Sequence, residues 1–173
     1  MWKRALLIAA LLIAGSSLSQ ADLREGVFQS KEWKVKLSPP RGWQASDHST
    51  YPGVLLWMLH QPTQSRMLFA AEKILPTMKH AKSAQDYATH TAVQLQALGY
   101  VVRAPQLHSA TGAFWMDFND GKHYLRQAVL VPDGSDVGYS LSLSTSDPKT
   151  RSSLLRVFDH TLRSIKPRRG AKN

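Results

Sequence analysis

The 173 residues contain no cysteine. Disulfide crosslinks and thiol chemistry are therefore excluded, so stability must come from packing. A bacterial lipid anchor is excluded as well, because Ile13-Ala-Gly15 is followed by Ser16 where lipid attachment needs Cys. Glycine-rich phosphate loops are missing: Gly99, Gly112, Gly121, Gly134 and Gly138 stand alone. No Gly-x-Ser-x-Gly elbow exposes a nucleophilic serine. His48, His60, His80, His90, His108, His123 and His160 form no HxH, HxxxH or HExxH spacing, so no metal site is expected. Asp86 and His90 share one helical face, which is half a ligand set or an ordinary exposed pair. Acids number 12, and of these Asp117 and Glu72 are the mid-strand candidates. Two-carboxylate glycoside chemistry needs acids converging from different elements, and nothing in the spacing supplies that. No enzyme activity and no cofactor are expected.

Long apolar runs are scarce too. Ala5–Ala14 is uncharged and apolar, short of the ~20 residues of a membrane span. It follows the basic Met1-Trp-Lys-Arg4 and precedes a Ser-x-Ala site ending at Ala21. These are the three parts of a secretory signal, with cleavage expected after Ala21; the alternative is an uncleaved anchor. The expected division is a leader over 1–21, one domain over 22–166 and a basic disordered tail over 167–173. The protein would then be periplasmic or extracellular.

Positive charge is in excess. The formal charge is +10, and loss of Lys3 and Arg4 with the leader leaves +8. Lys166, Arg168, Arg169 and Lys172 crowd the C-terminus, giving either a frayed soluble tail or a weak contact with an anionic surface. No nucleic-acid motif accompanies the charge, so nucleic acid is not the expected partner.

The remaining pattern is strands with two helices. Trp33-Lys-Val-Lys-Leu37 alternates, and Ser38-Pro-Pro-Arg-Gly42 ends the ladder. Val54–Leu59 is apolar on both faces, which predicts a central strand covered on both sides, with the Trp57 face in the core. Met67–Ile74 is its neighbour. Ser83 with Asp86 forms a capping box for a helix running to Gly99. Tyr100–Leu107 is expected as a strand. Asp147 and Pro148 are expected to open a second helix, with Leu154, Leu155, Phe158, Leu162 and Ile165 as its buried stripe.

Between the helices, Ala113–Asn119, His123–Val131 and Val137–Ser144 read as three successive antiparallel strands. An Asp120-Gly121 two-residue turn predicts Asn119 opposite Lys122. Phe118 would then oppose His123, Met116 Leu125, and Phe114 Gln127 on one side. On the other, Trp115 would oppose Arg126, and Asp117 would oppose Tyr124. Trp115, Asp117, Tyr124 and Arg126, with Lys122 near the turn, form the candidate partner-binding group. Aromatic and arginine side chains dominate binding hot spots; covered by a helix, the same group would be a structural cluster.

This order of elements, with the Pro40-Arg-Gly-Trp43 corner after the strand 33–37, resembles the PsbP/Mog-like α/β sandwiches over residues 27–166. The exported bacterial, DcrB-like branch is the nearest analogue, though the lipid-anchor Cys of many members is missing. The resemblance implies an α+β fold: an antiparallel β-sheet of about six to seven strands with helices packed on its faces, an α/β/α sandwich. It also implies a protein that works by binding. The expected function is an exported module assisting an envelope or secretion component through protein–protein contacts. A lipid or small-molecule carrier using a sheet–helix cleft is the alternative.

Overall fold

The computed structural model describes residues 21–24, 26–47, 51–78 and 82–167, without the side chains of Ala21, Asp22 and Arg24. The leader through Gln20, His48, His80 and the tail from Arg168 lie outside the described residues.

Two antiparallel sheets form the frame. The small one has the order β1 (Ala21–Arg24), β2 (Val27–Ser30), β3 (Val35–Leu37) and β12 (Lys166–Pro167). The large one runs β4 (Gln44–Ser46), β5 (Val54–His60), β6 (Ser65–Lys73), β11 (Val137–Thr145), β10 (Tyr124–Leu130), β9 (Ala113–Asn119) and β7 (Val101–Val102). β8 (Gln106–His108) also pairs with β9. The segment expected as one strand over 100–107 is thus divided into β7 and β8. Pro105 lies between them and has no N–H for the ladder. Helix α1 spans Ala84–Ala97 and α2 Arg151–Ser164. Among the described residues no helix is long and apolar enough to cross a membrane.

The side chains of the large sheet alternate between two faces. On the first, Leu56, Met58, Met67, Phe69, Ala128, Leu141 and Leu143 meet Phe28, Val35 and Leu37 of the small sheet and Leu154, Phe158 and Leu162 of α2. At roughly 1.5–3 kcal/mol per fully buried large side chain, this is the main source of stability. Tyr139 ties the layers: its ring stacks on Phe69 at 6.0 Å and its hydroxyl donates to the Trp33 carbonyl at 2.6 Å. Burial, aided by the Asp136 charge, lifts its pKa to about 12. On the second face α1 sets Ala88, Ala92 and Leu95 against Met116 and Phe118. Small alanines let the helix lie close. Ser83 caps it as expected, accepting the Asp86 N–H at 3.1 Å. Leu98 departs from the expected stripe and is 56% exposed.

The C-terminal helix starts later than Asp147-Pro148 suggested. Asp147 accepts the Lys149 N–H at 2.9 Å and the Thr150 hydroxyl at 2.9 Å, holding a separate turn. The first helical bond runs from the Leu154 N–H to the Thr150 carbonyl. At the other end Pro167 lies in β12, opposite Val35, so the chain remains in the sheet past residue 166.

The β9–β10 register also differs from expectation, by two residues. Asn119 opposes Tyr124, Phe118 opposes Leu125, Asp117 opposes Arg126 and Met116 opposes Gln127. The Asp120 carboxylate accepts the N–H groups of Lys122 (2.9 Å) and His123 (2.7 Å), so residues 120–123 form a wider loop. Gly121 supplies the positive φ of 85° this loop requires. A shift of two keeps every side chain on its expected face. His123 is the exception: it leaves the ladder and its ring pairs with Asp120 at 3.1 Å.

Candidate functional site

The register change rearranges the hairpin group. Asp117 now sits directly opposite Arg126, which donates from Nε at 2.6 Å and from a terminal nitrogen at 2.9 Å. The guanidinium also lies 3.9 Å over the Trp115 ring. Burial works against the Arg126 charge, but the Asp117 carboxylate outweighs it, and the Arg126 pKa is raised. Tyr124, next along the strand face, takes the Arg151 guanidinium of α2 at 4.5 Å. Burial, then hydrogen bonding to Asp117, pushes its phenol well above the ordinary range. The Asp117 side chain is 7% exposed and that of Arg126 is 17% exposed. Trp115 is half-buried against the main core. Four of the five expected residues are therefore assembled into one stacked ion pair on the face that α2 covers. Lys122 is exposed in the loop and contributes its backbone N–H to Asp120.

The opposite face holds a surface that sequence reasoning missed. There α1 packs on β7, β9 and β10. Beyond it the same face continues through Ser140, Ser142 and Ser144 of β11, then Arg66, Leu68 and Ala70 of β6, then Trp57 and Leu59 of β5. All of these are half-buried, neither sealed nor fully exposed. Tyr51, 39% exposed, lies 6.2 Å from the Trp57 ring. The expectation that Trp57 belongs to a core covered on both sides is corrected. Met58, Leu56, Met67 and Phe69 on the other face are the buried ones. The strip thus combines apolar and aromatic side chains with a row of serine hydroxyls and Arg66.

Three further groups have chemical potential. Where α1 leaves the sheet, Glu72 of β6 accepts the Tyr87 hydroxyl. Burial raises the Glu72 pKa to about 7. The void lined by these two residues, Val129 and Tyr139 is only about 10 Å³, which barely admits one water. At the start of α1, an open cavity of about 430 Å³ is lined by Lys82, Ser83, Phe114, Val131 and Asp133 among others.

His108 bridges the Thr111 hydroxyl (2.8 Å, through Nδ1) and the Asp159 carboxylate (2.5 Å, through Nε2), and Asp159 also accepts from Arg163 at 2.9 Å. Burial opposes the Asp159 charge, but His108 and Arg163 prevail and hold its pKa low. A hydroxyl, a ring and a carboxylate in line suggest nucleophilic catalysis. The same His–Thr pair recurs at His60 and Thr63, also 2.8 Å apart, without a carboxylate. Both pairs close three-residue steps at turns, and the His108 carbonyl accepts the Thr111 and Gly112 N–H groups. The pair is a turn lock, and Asp159 ties that turn to α2. Among the described residues no three His, Asp or Glu side chains are grouped so as to hold a metal ion.

No family model matches the sequence, and no curated protein does. Solved structures do. The solution structure of cyanobacterial PsbP (CyanoP) from Synechocystis sp. PCC 6803 superposes with a TM-score of 0.56 at 12% identity. That match covers 90% of this chain and 96% of CyanoP. The Ran-binding protein Mog1p of Saccharomyces cerevisiae matches with a TM-score of 0.54 at 8% identity, over 86% of this chain and 96% of Mog1p. Such identities establish the architecture and nothing about shared partners. With two sheets and two α-helices among the described residues, and near-complete coverage of both structures, the chain has the PsbP/Mog-like fold.

Proposed function

We propose that the protein is an exported, non-enzymatic binding module, periplasmic or secreted, that assists an envelope or secretion component through protein–protein contacts. The observation that supports this reading is the half of the large sheet away from α1, where the apolar area of Trp57, Leu59 and Leu68 is only half-buried and Tyr51, exposed, packs against Trp57. Leaving such area in water costs about 25 cal/mol per Å², which a partner would recover. The leader-like start at Met1–Ala21 supports export. Mog1p, of the same fold, is a Ran-binding protein, so the fold is compatible with a protein partner. The carrier alternative fits less well. The void at Glu72 and Tyr87 is too small for a ligand, and the open cavity of about 430 Å³ at the start of α1 is lined largely by polar residues such as Lys82, Ser83, Gln85, Asp133 and Ser135, whereas ligand pockets are mostly apolar.

A pull-down from envelope extract tests the proposal, comparing wild type with Trp57→Ser/Leu68→Ser. The expected result is a specific protein partner lost in that variant while its circular dichroism and melting stay native-like. A partner retained by the face variant but lost in Lys122→Ala/Arg126→Lys would move the contact to the hairpin tip. No protein partner, with a lipid or small molecule found by mass spectrometry in the purified protein, would replace this reading with the carrier.

A further inference from the structure

The second face of the large sheet falls into two halves. α1 packs mainly on β7, β9 and β10, and β11, β6 and β5 make up the other half. Three strands about 4.8 Å apart give that half a width of about 14 Å, a little more than one helix with its side chains. It has a floor and two sides. The floor is Ser140 beside Ala70, Ser142 beside Leu68 and Ser144 beside Arg66. Most of these side chains are small. The α1 half is the reverse, with Ala88 and Ala92 of the helix set against Met116 and Phe118 of the sheet. Trp57 and Leu59 of β5, with Tyr51 against Trp57, form the outer side. One flank of α1 forms the inner side. Tyr87, Thr91, Gln94 and Leu98 recur there at intervals of four and three, and the Tyr87 hydroxyl bond to Glu72 of β6 turns that flank toward the floor. Just past α1, the Tyr100 ring meets Phe118 at 5.6 Å. The row through Phe118 continues over Leu125, Ser144, Arg66 and Leu59. Leu98, 56% exposed, therefore stands at the Arg66 end of this slot, and Tyr87 stands at the Glu72 end.

We propose that this slot seats one amphipathic α-helix of the partner protein, laid alongside α1 and carrying an acidic residue at the Arg66 end; the inference rests on the protein–protein reading above. From Glu72 to Arg66 the floor is about 20 Å long, which a helix of roughly 14 residues spans. The footprint is then roughly 280 Å², about a third of the ~800 Å² that each side of a stable globular interface buries. That area is too small for a second copy of this chain and suits a single helix. The small floor calls for large aliphatic side chains on the incoming helix, at the three- and four-residue spacing of helices bound in grooves. Charge supplies the rest of its chemistry. Arg66 and Glu72 are the charged side chains of β6 on this face, and burial holds Glu72 protonated up to about pH 7. Arg66 is the cation that remains. Its guanidinium carries five N–H donors, more than one acceptor uses, so a carboxylate on the helix finds a place beside it. The formal charge of +10 on the chain attracts an acidic partner in the same sense. The Ser140, Ser142 and Ser144 hydroxyls take no side-chain hydrogen bond among the described residues, so the helix flank next to α1 is polar.

Photo-crosslinking tests it, with benzoylphenylalanine placed at Leu68 and, separately, at Ser142 of the full chain in cells that make it. Cross-linked peptides are mapped by mass spectrometry. Both positions should capture one segment of another protein, at residues three, four or seven apart, with an Asp or Glu within one turn of them. A synthetic peptide of that segment should bind the purified protein in fluorescence anisotropy. Leu98→Ala should weaken this binding about fivefold. Val93→Ala, at a position as exposed as Leu98 but on the outward side of α1, should leave it unchanged. Arg66→Glu should weaken it about tenfold, and Lys in place of the peptide's acid should restore it. Cross-links at alternate residues of the segment would make the occupant a strand, and cross-links to a second copy of this chain would make the face a self-interface. Either overturns the helix and leaves a protein-binding role standing. Equal effects of Leu98→Ala and Val93→Ala would remove α1 from the contact and overturn the slot. If neither position cross-links a protein while pull-down with the native chain yields a partner, the slot alone is overturned; if neither experiment yields a partner, the protein–protein reading falls with it.

Discussion

Glu72→Gln should make the protein more stable, by an amount that grows as pH rises from about 4.5 to about 7 and then levels off. In the unfolded chain this carboxyl titrates near 4.5, whereas burial in the fold moves it to about 7. Below the unfolded value both states hold the proton and the group contributes no difference. As pH rises from there, the unfolded chain releases the proton while the folded chain retains it, so stability falls until the folded value is passed. A tenfold change in proton affinity is worth about 1.4 kcal/mol, which sets an upper limit of about 3.4 kcal/mol. Glu72 is only half-buried and solvent screens part of that cost, so about 1–2 kcal/mol is expected. The amide keeps an acceptor for the Tyr87 hydroxyl and never ionises. Urea denaturation of wild type and variant from about pH 4 to 8.5 should give curves that converge at the acid end. They should separate by about 1–2 kcal/mol at the alkaline end, or roughly 3–6 °C in melting temperature for a domain of this size. Parallel profiles would show that Glu72 is ionised in the fold near its ordinary pKa, and the burial argument would be wrong.

Arg126→Ala should cost about 3 kcal/mol, because it strands the Asp117 carboxylate in a buried position. Asp117→Ala/Arg126→Met should return most of that loss, and strictly additive losses in chemical denaturation would refute a closed pair. Lys34→Gly should raise stability by about 0.5–1 kcal/mol, by relieving a left-handed lysine. Unchanged or lower stability in urea denaturation would show that the left-handed Lys34 carries no strain.

Much of the fold is readable along the chain, because local chemistry decides it. Ser83 and Asp86 cap α1 as their spacing demands, and Leu154, Phe158 and Leu162 are buried at helical intervals. The faces of β9 and β10 follow from alternation even though the register does not. Register depended on where the Asp120 side chain found its donors, and it took the N–H groups of Lys122 and His123 instead of leaving a two-residue turn. That two-residue slip turned an expected Trp115–Arg126 pairing across the strands into an Asp117–Arg126 ion pair with Trp115 stacked alongside. The cross-strand meeting of Lys36 and Lys166 was out of reach for a different reason. These residues are far apart in sequence, and β12 consists of two residues ending in a proline, too short for any periodicity to announce it.

The open Trp57 face follows from the width of the sheet. An apolar strand on both faces suggests two-sided cover, yet cover must be supplied by something. The large sheet has seven strands across its main path, or about 30 Å at 4.8 Å per strand. A helix is about 10 Å wide and shields two or three strands. The chain has two helices in the described residues, and α2 shares the first face with the small sheet. That leaves α1 alone on the second face, and it lies over β7, β9 and β10. Among the described residues α1 reaches the stretch from β11 to β5 through Tyr87, at Glu72, and packs mainly on β7, β9 and β10. The composition of that stretch reflects this: Ser140, Ser142 and Ser144 tolerate water, while Trp57, Leu59 and Leu68 gain from a partner. Among the described residues the sheet is covered mainly on one side at this end, and the binding role proposed above rests on that feature.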